Sequence, residues 1–171
     1  MSAPVSASAE ILRTYRAPRA VMRRLIDALG RDERPEARLL VYLLAGCFIV
    51  FVGQVPGLAG QAPAPDGPPR EALLGITFFA WLFVWPLFFY ALAALAYLAA
   101  RALGAGGSFL AARAALFWTL LAVSPLMLLR GVVQAFYGPG AALMVADGVV
   151  GLAFCCLWVI SLREAGKSPA R

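Results

Sequence analysis

Between Glu71 and Arg101 the chain runs for 29 residues without a charged side chain, ALLGITFFAWLFVWPLFFYALAALAYLAA. Few folds are open to such a stretch. A bilayer's hydrocarbon core, about 30 Å thick, is crossed by about 20 apolar residues rising 1.5 Å each. In lipid the backbone must satisfy its own hydrogen bonds, so an isolated apolar run of this kind has to be a helix. Three other runs have the same texture, at 37–55, 109–133 and 142–162. The whole chain is 62% hydrophobic and 14% charged, against about 45–50% and about 25% for a soluble domain. The sequence therefore predicts an all-α fold, a polytopic membrane helical bundle with four transmembrane helices at about 37–55, 72–100, 109–133 and 142–162. At roughly 43 Å the second span exceeds the hydrocarbon core, so it must tilt, protrude or bend at Pro86.

The N-terminal part reads differently. In AEILRTYRAPRAVMRRLIDALG, Ile11, Tyr15, Pro18, Met22, Leu25 and Leu29 recur at alternating spacings of four and three, with arginines mostly between them. This is an amphipathic helix, broken before Pro18 and ended near Gly30. Residues 1–35 are expected to form a cytoplasmic, interfacial segment, with Arg13, Arg16, Arg23 and Arg24 against lipid headgroups. The same pattern also fits a helix packed on the ends of the spans. Residues 36–164 form the bundle and 165–171 a short tail, while residues 1–8 read as disordered. No compact apolar leader precedes the first span, which would itself direct insertion.

Charge placement orients the bundle. Eight of the fifteen basic residues precede residue 39; Arg101, Arg113, Arg163, Lys167 and Arg171 join them if both termini are cytoplasmic, which puts thirteen inside and leaves Arg70 and Arg130 outside. The positive-inside rule selects that arrangement. Basic segments beside spans read anionic headgroups, so the net charge of +6 points to the bilayer as a partner and not to nucleic acid. The proline- and glycine-rich 56–71 segment is expected as an extended outer loop, and YGPGA at 137–141 as a tight outer turn.

Arg130 and Asp147 are the ionisable residues that matter most. Arg130 lies 21 residues beyond Phe109, roughly 32 Å along a helix, and Asp147 lies 16 residues before Arg163, roughly 24 Å. Both fall in the outer part of adjacent antiparallel spans, where they can pair. Two other readings exist: each charge reaching water or headgroups alone, or a transport role. Arg113, four residues into its span, reads as a snorkelling anchor.

The inventory works against catalysis. The chain has no histidine, so Ser-His and Cys-His devices are absent. Asp147 has no second intramembrane aspartate, and GAGG lacks the lysine of a phosphate-binding loop. Cys47, Cys155 and Cys156 read as buried small hydrophobes. No motif calls for a cofactor or metal. Phe78, Trp81, Trp85 and Phe88 form an aromatic stripe suited to packing or lipid contact. Ala96 with Ala100 and Ala111 with Ala115 offer small-residue contacts.

In its layout the chain resembles the short bacterial members of the Yip1 family. The resemblance is carried by TYRAPRAVMRRLIDAL, the span after RPEARLL, the proline-rich loop, FFAWLFVWPLFFYALAALAYLAARALGAGGSF and ARAALFWTLLAVSPLMLLRGVVQAFYGPG, together most of residues 11–164. It implies a multi-spanning membrane protein with a cytoplasmic N-terminus. The function expected is non-enzymatic, in membrane organisation or partner binding, with a homo-oligomer or another membrane protein as partner. The alternative is a small oligomeric transporter or channel component using Asp147 and Arg130.

Overall fold

The structure, a computed structural model, describes residues 7–60 and 67–167. Residues 1–6 of the expected disordered start, 61–66 of the expected loop and 168–171 of the tail lie outside the described residues. The described elements are all helical: α1 (Ala7–Arg16), α2 (Pro18–Leu29), α3 (Pro35–Gly60), α4 (Arg70–Phe79), a π-helical turn (Ala80–Val84), α5 (Trp85–Ala102), α6 (Phe109–Tyr137) and α7 (Ala141–Ala165). α4, the π turn and α5 run on as one helix, Arg70–Ala102. Among the described residues, this helix, α3, α6 and α7 are long and apolar enough to cross a membrane.

The prolines show how local chemistry shapes these spans. Pro86 has no N–H, and its ring crowds the carbonyl four residues back. The π turn stands immediately upstream and widens the ladder by one residue. The accommodation expected at Pro86 is therefore a register insertion within a continuous helix. Pro56 lies only four residues from the end of α3, so it removes a single late bond. The helix continues through it to Gly60, beyond the boundary expected at 55.

Pro125 sits inside α6, which remains a single helix. The carbonyls one turn before it find new donors. Ser124 Oγ donates to the Leu121 carbonyl at 2.8 Å, and the Tyr15 hydroxyl of α1 donates to the Ala122 carbonyl at 2.5 Å. Hydroxyl groups from the same and neighbouring helices are what make proline tolerable in a span. Partial burial raises the Tyr15 phenol above its usual pKa, which keeps its proton available for donation.

α6 is the axis of the bundle. Apart from Arg113, every residue from Ala111 to Ser124 is buried, because α3, α5, α7 and the N-terminal helices surround it. Its main partner is α3, which presents Leu39, Leu43, Gly46, Val50, Gly53 and Gly57. Those positions alternate in steps of four and three, the spacing of a helix–helix seam. At its far end the seam consists of glycine. A Cβ on Gly53 would stand 2.7 Å from the Met127 carbonyl oxygen, and one on Gly131 would overlap the Gly53 carbonyl oxygen. The two backbones touch directly, as small residues allow in membrane bundles.

α1 and α2 break at Ala17–Pro18, as the sequence implies, and both pack on the spans. Val21, Met22, Leu25 and Leu29 of α2 are buried against the bundle. Thr14 of α1 is also buried, accepting the Trp118 indole N–H at 3.0 Å. The apolar face of α2 thus meets protein, the second of the two arrangements open to the pattern.

Gly131→Ala should lower stability by at least the roughly 1–3 kcal/mol typical of overpacking, because the obstacle is backbone. Gly148→Ala, where a Cβ meets open space, should be neutral or gain up to about 1 kcal/mol from helix propensity. Thermal unfolding in detergent measures both, and equal shifts would refute the close-contact seam.

Candidate functional site: a polar clamp beside a bundle cavity

α6 and α7 are joined by the turn Gly138–Gly140, in which Gly138 has φ +66°, a conformation that costs other residues energy. So short a turn makes the helices antiparallel neighbours. Arg130 lies seven residues before the end of α6 and Asp147 six residues after the start of α7, so both are roughly 10 Å from the turn. The structure brings them together. Arg130 Nε donates to Asp147 Oδ1 at 2.5 Å, and Nη2 faces Oδ2 at 3.4 Å.

A third residue completes the group. Arg130 Nη1 donates to Gln134 Oε1, one helical turn further on, at 2.7 Å. The Gln134 amide lies against Gly57 of α3, where any Cβ would overlap it. The chain Asp147–Arg130–Gln134–Gly57 therefore ties α7 to α6 and α6 to α3. The Arg130 side chain is 22% exposed and that of Asp147 50%. Water reaches the carboxylate, so the pair is worth less than a fully buried one.

The clamp borders a cavity of about 620 Å³ between α3, the π turn, α5, α6 and α7. Its walls are largely apolar, with Trp81, Phe89, Met127 and Phe154 among them, and Gln54 adds a carboxamide. Trp81 reaches the cavity from the π turn and stacks on Trp85 with ring centroids 4.9 Å apart. π turns recur at functional sites because they re-aim side chains. A polar edge over aromatic and aliphatic walls suits an amphiphile better than a small hydrophilic solute.

Arg113 makes a two-pronged pair with Glu36 at 2.5 and 2.6 Å. Its guanidinium carbon also lies 4.4 Å from the Phe109 ring centroid, and only 13% of its side chain is exposed. Glu36 holds the side chain that was expected to reach for headgroups. Arg23 pairs with buried Glu164 at 2.5 Å, and Arg13 with Glu10 at 3.1 Å. Arg16 and Arg24 are exposed, with no acidic partner among the described residues. Cys47 is buried, but Cys155 and Cys156 are exposed, contrary to expectation. α7 buries only a narrow face through Val150, Leu157 and Ser161, and both cysteines fall outside it.

Several working residues escaped the sequence reading. Gln134 was visible as a polar residue one turn from Arg130. Glu164, which receives both Arg23 and Lys167, lies just past the expected span. The glycine seam was present as Gly46, Gly53 and Gly57 at spacings of seven and four. Comparison of the chain with protein-family models, curated proteins and solved structures finds no match.

Neutralising either clamp residue alone, Arg130→Gln or Asp147→Asn, should cost about 1–2 kcal/mol, moderated by the water available to the orphaned charge. The double variant should cost less than the sum, since no orphan remains. A double-mutant cycle of thermal stability in detergent reads the coupling. Strict additivity would mean that the two charges act independently.

Proposed function

We propose that the chain is a multi-pass protein of the bacterial inner membrane, with both termini cytoplasmic, that works without catalysis by organising the membrane or binding a membrane partner. The Yip1-like layout suggests that role. One observation carries it over the transporter alternative: the Arg130 guanidinium is engaged on both sides, and the axis helix beside it is closely packed and free of ionisable groups. From Ala114 to Ser124 the axis helix is buried without interruption, and no ionisable side chain lies in that stretch. A coupled transporter needs polar groups that relay a substrate or ion onward, and intramembrane charges mark such routes. Here Arg130 is engaged by Asp147 and Gln134, and nothing ionisable continues the path along α6 until Arg113.

Further support comes from the second span. Ile76, Phe79, Phe83, Leu87, Leu95 and Leu98 are exposed along its length. An outward apolar surface of this extent is what lipid or a neighbouring membrane protein covers. The carboxylate of Asp147 and the adjoining cavity favour the second reading, a small oligomeric transporter or channel component using Asp147 and Arg130.

Proteoliposomes separate the two. On the proposed reading, purified protein adds no ion or solute flux above that of empty liposomes, and Asp147→Asn changes nothing. Flux that appears with the wild type and disappears with Asp147→Asn would establish the transporter.

Orientation has its own test. With cysteines introduced singly into a cysteine-free background, an impermeant maleimide should label residues 58 and 139 from outside the cell and residue 168 only after the membrane is opened. Labelling of residue 168 in intact cells would reverse the proposed topology.

A further inference from the structure

At the end of the bundle that carries Glu36 and Arg113, α5 and α7 diverge. Both pack on α6, yet they scarcely touch each other. The gap is a groove of about 650 Å³, open to the outside. Its walls are Ala99 and Leu103 from α5 and Trp158, Val159 and Leu162 from α7. The lining runs from Ala96 to Leu103 on one side and from Trp158 to Lys167 on the other. Those stretches measure roughly 10 and 13 Å along the helices. The groove therefore follows the ends of both helices for roughly two turns.

Its open end is cationic. Arg163 and Lys167 both line it, and no acidic residue does. Glu164, between them in sequence, is buried on another face of α7, where Arg23 holds it. Lys167 also contacts Glu164, at 3.2 Å, but is 68% exposed and can turn toward the groove. Arg163 is exposed, with no acidic partner among the described residues. The C-terminal end of α7 carries partial negative charge and would repel an anion, so side-chain cations have to hold one.

These features together select the occupant. A peptide lying here would leave its backbone groups against alanine, leucine, valine and tryptophan side chains, with nothing to satisfy them. An acyl chain makes no such demand, and a basic pocket between spans recognises an anionic headgroup. We propose that this groove binds an anionic phospholipid, with one acyl chain along Leu103, Val159 and Leu162 and the phosphate on Arg163, aided by Lys167. The site lies away from the polar clamp, and the proposal stands whether or not the clamp has a transport role.

Trp158 in the wall supplies the readout. Protein in phosphatidylcholine nanodiscs is titrated with acyl-brominated phosphatidylglycerol or acyl-brominated phosphatidylcholine, and the Trp158 signal is isolated by subtracting Trp158→Phe. Brominated phosphatidylglycerol should half-quench Trp158 at a several-fold lower mole fraction than its zwitterionic counterpart. Arg163→Gln with Lys167→Gln should merge the two curves, Arg163→Lys alone should keep most of the preference, and Arg24→Gln should leave it unchanged. Ala99→Leu, which fills the groove and keeps the charges, should abolish the preference. Coincident curves in the wild type would overturn the proposal. So would a preference that survives either the double neutralisation or the filled groove.

Discussion

The backbone contact between α3 and α6 at Gly53 and Gly131 is the constraint on which the rest of the bundle depends. Lipid tails are as apolar as leucine, so helices in a membrane gain little by hiding apolar side chains from each other and gain more by close packing. Glycine on both sides removes the side chains that would hold these helices apart. Because they touch here, Gly57 comes up against the Gln134 amide one turn further along. Gln134 in turn engages the guanidinium that holds Asp147. A larger residue at Gly53 would therefore shift more than a packing contact: it would move the polar clamp and the adjoining cavity wall, although no charge had changed.

The same economy governs the N-terminal helices. Pro125 disturbs the axis helix near its middle, and the Tyr15 hydroxyl repairs part of the damage from outside that helix. Thr14, one residue earlier, receives the Trp118 indole N–H and itself donates to the Glu10 carbonyl. α1 is thus joined to α6 through polar groups that would be costly to leave unpaired in an apolar setting. α2 is held differently, by buried aliphatic side chains and the Arg23–Glu164 pair. A segment that looks, by composition, like a surface helix has become part of the structure it precedes.

What was legible in the sequence follows the rigidity of its ruler. Helix rise is fixed and the turn at 138–140 is short, so counting residues was enough to set Arg130 and Asp147 at one depth on neighbouring helices. Capping is a similarly local matter: Ser108, just before α6, accepts the Ala111 N–H through its hydroxyl at 3.2 Å. Rotation of one helix against another has no such ruler. Glu36 and Arg113 are 77 positions apart, and only the packing of α3 on α6 reveals that they face each other. The glycines of α3 were readable as a periodic series, but in a chain with 16 glycines and many alanines their partner was not. The amphipathic lead-in was ambiguous for a related reason, since lipid and protein present the same apolar surface to a helix.

The distribution of charge draws these points together. At one end of the bundle, Glu36, Asp32 and Glu164 each hold an arginine, and the partners of Glu36 and Glu164 come from distant parts of the chain. Toward the other end of α6 and α7, Arg130 pairs with Asp147. Between these levels the polar side chains of the axis helix are the Trp118 indole, which donates to Thr14 of α1, and the hydroxyls of Thr119 and Ser124, each of which donates to a carbonyl of its own helix. Nothing ionisable is left in the middle of that helix to be neutralised, hydrated or moved. A bundle arranged in this way places its free energy in fixed contacts at two levels and in close packing between them. The polar features that remain open lie at its edges, the cavity beside the clamp and the groove beside Arg163, where lipid or a neighbouring protein can meet them without opening the core.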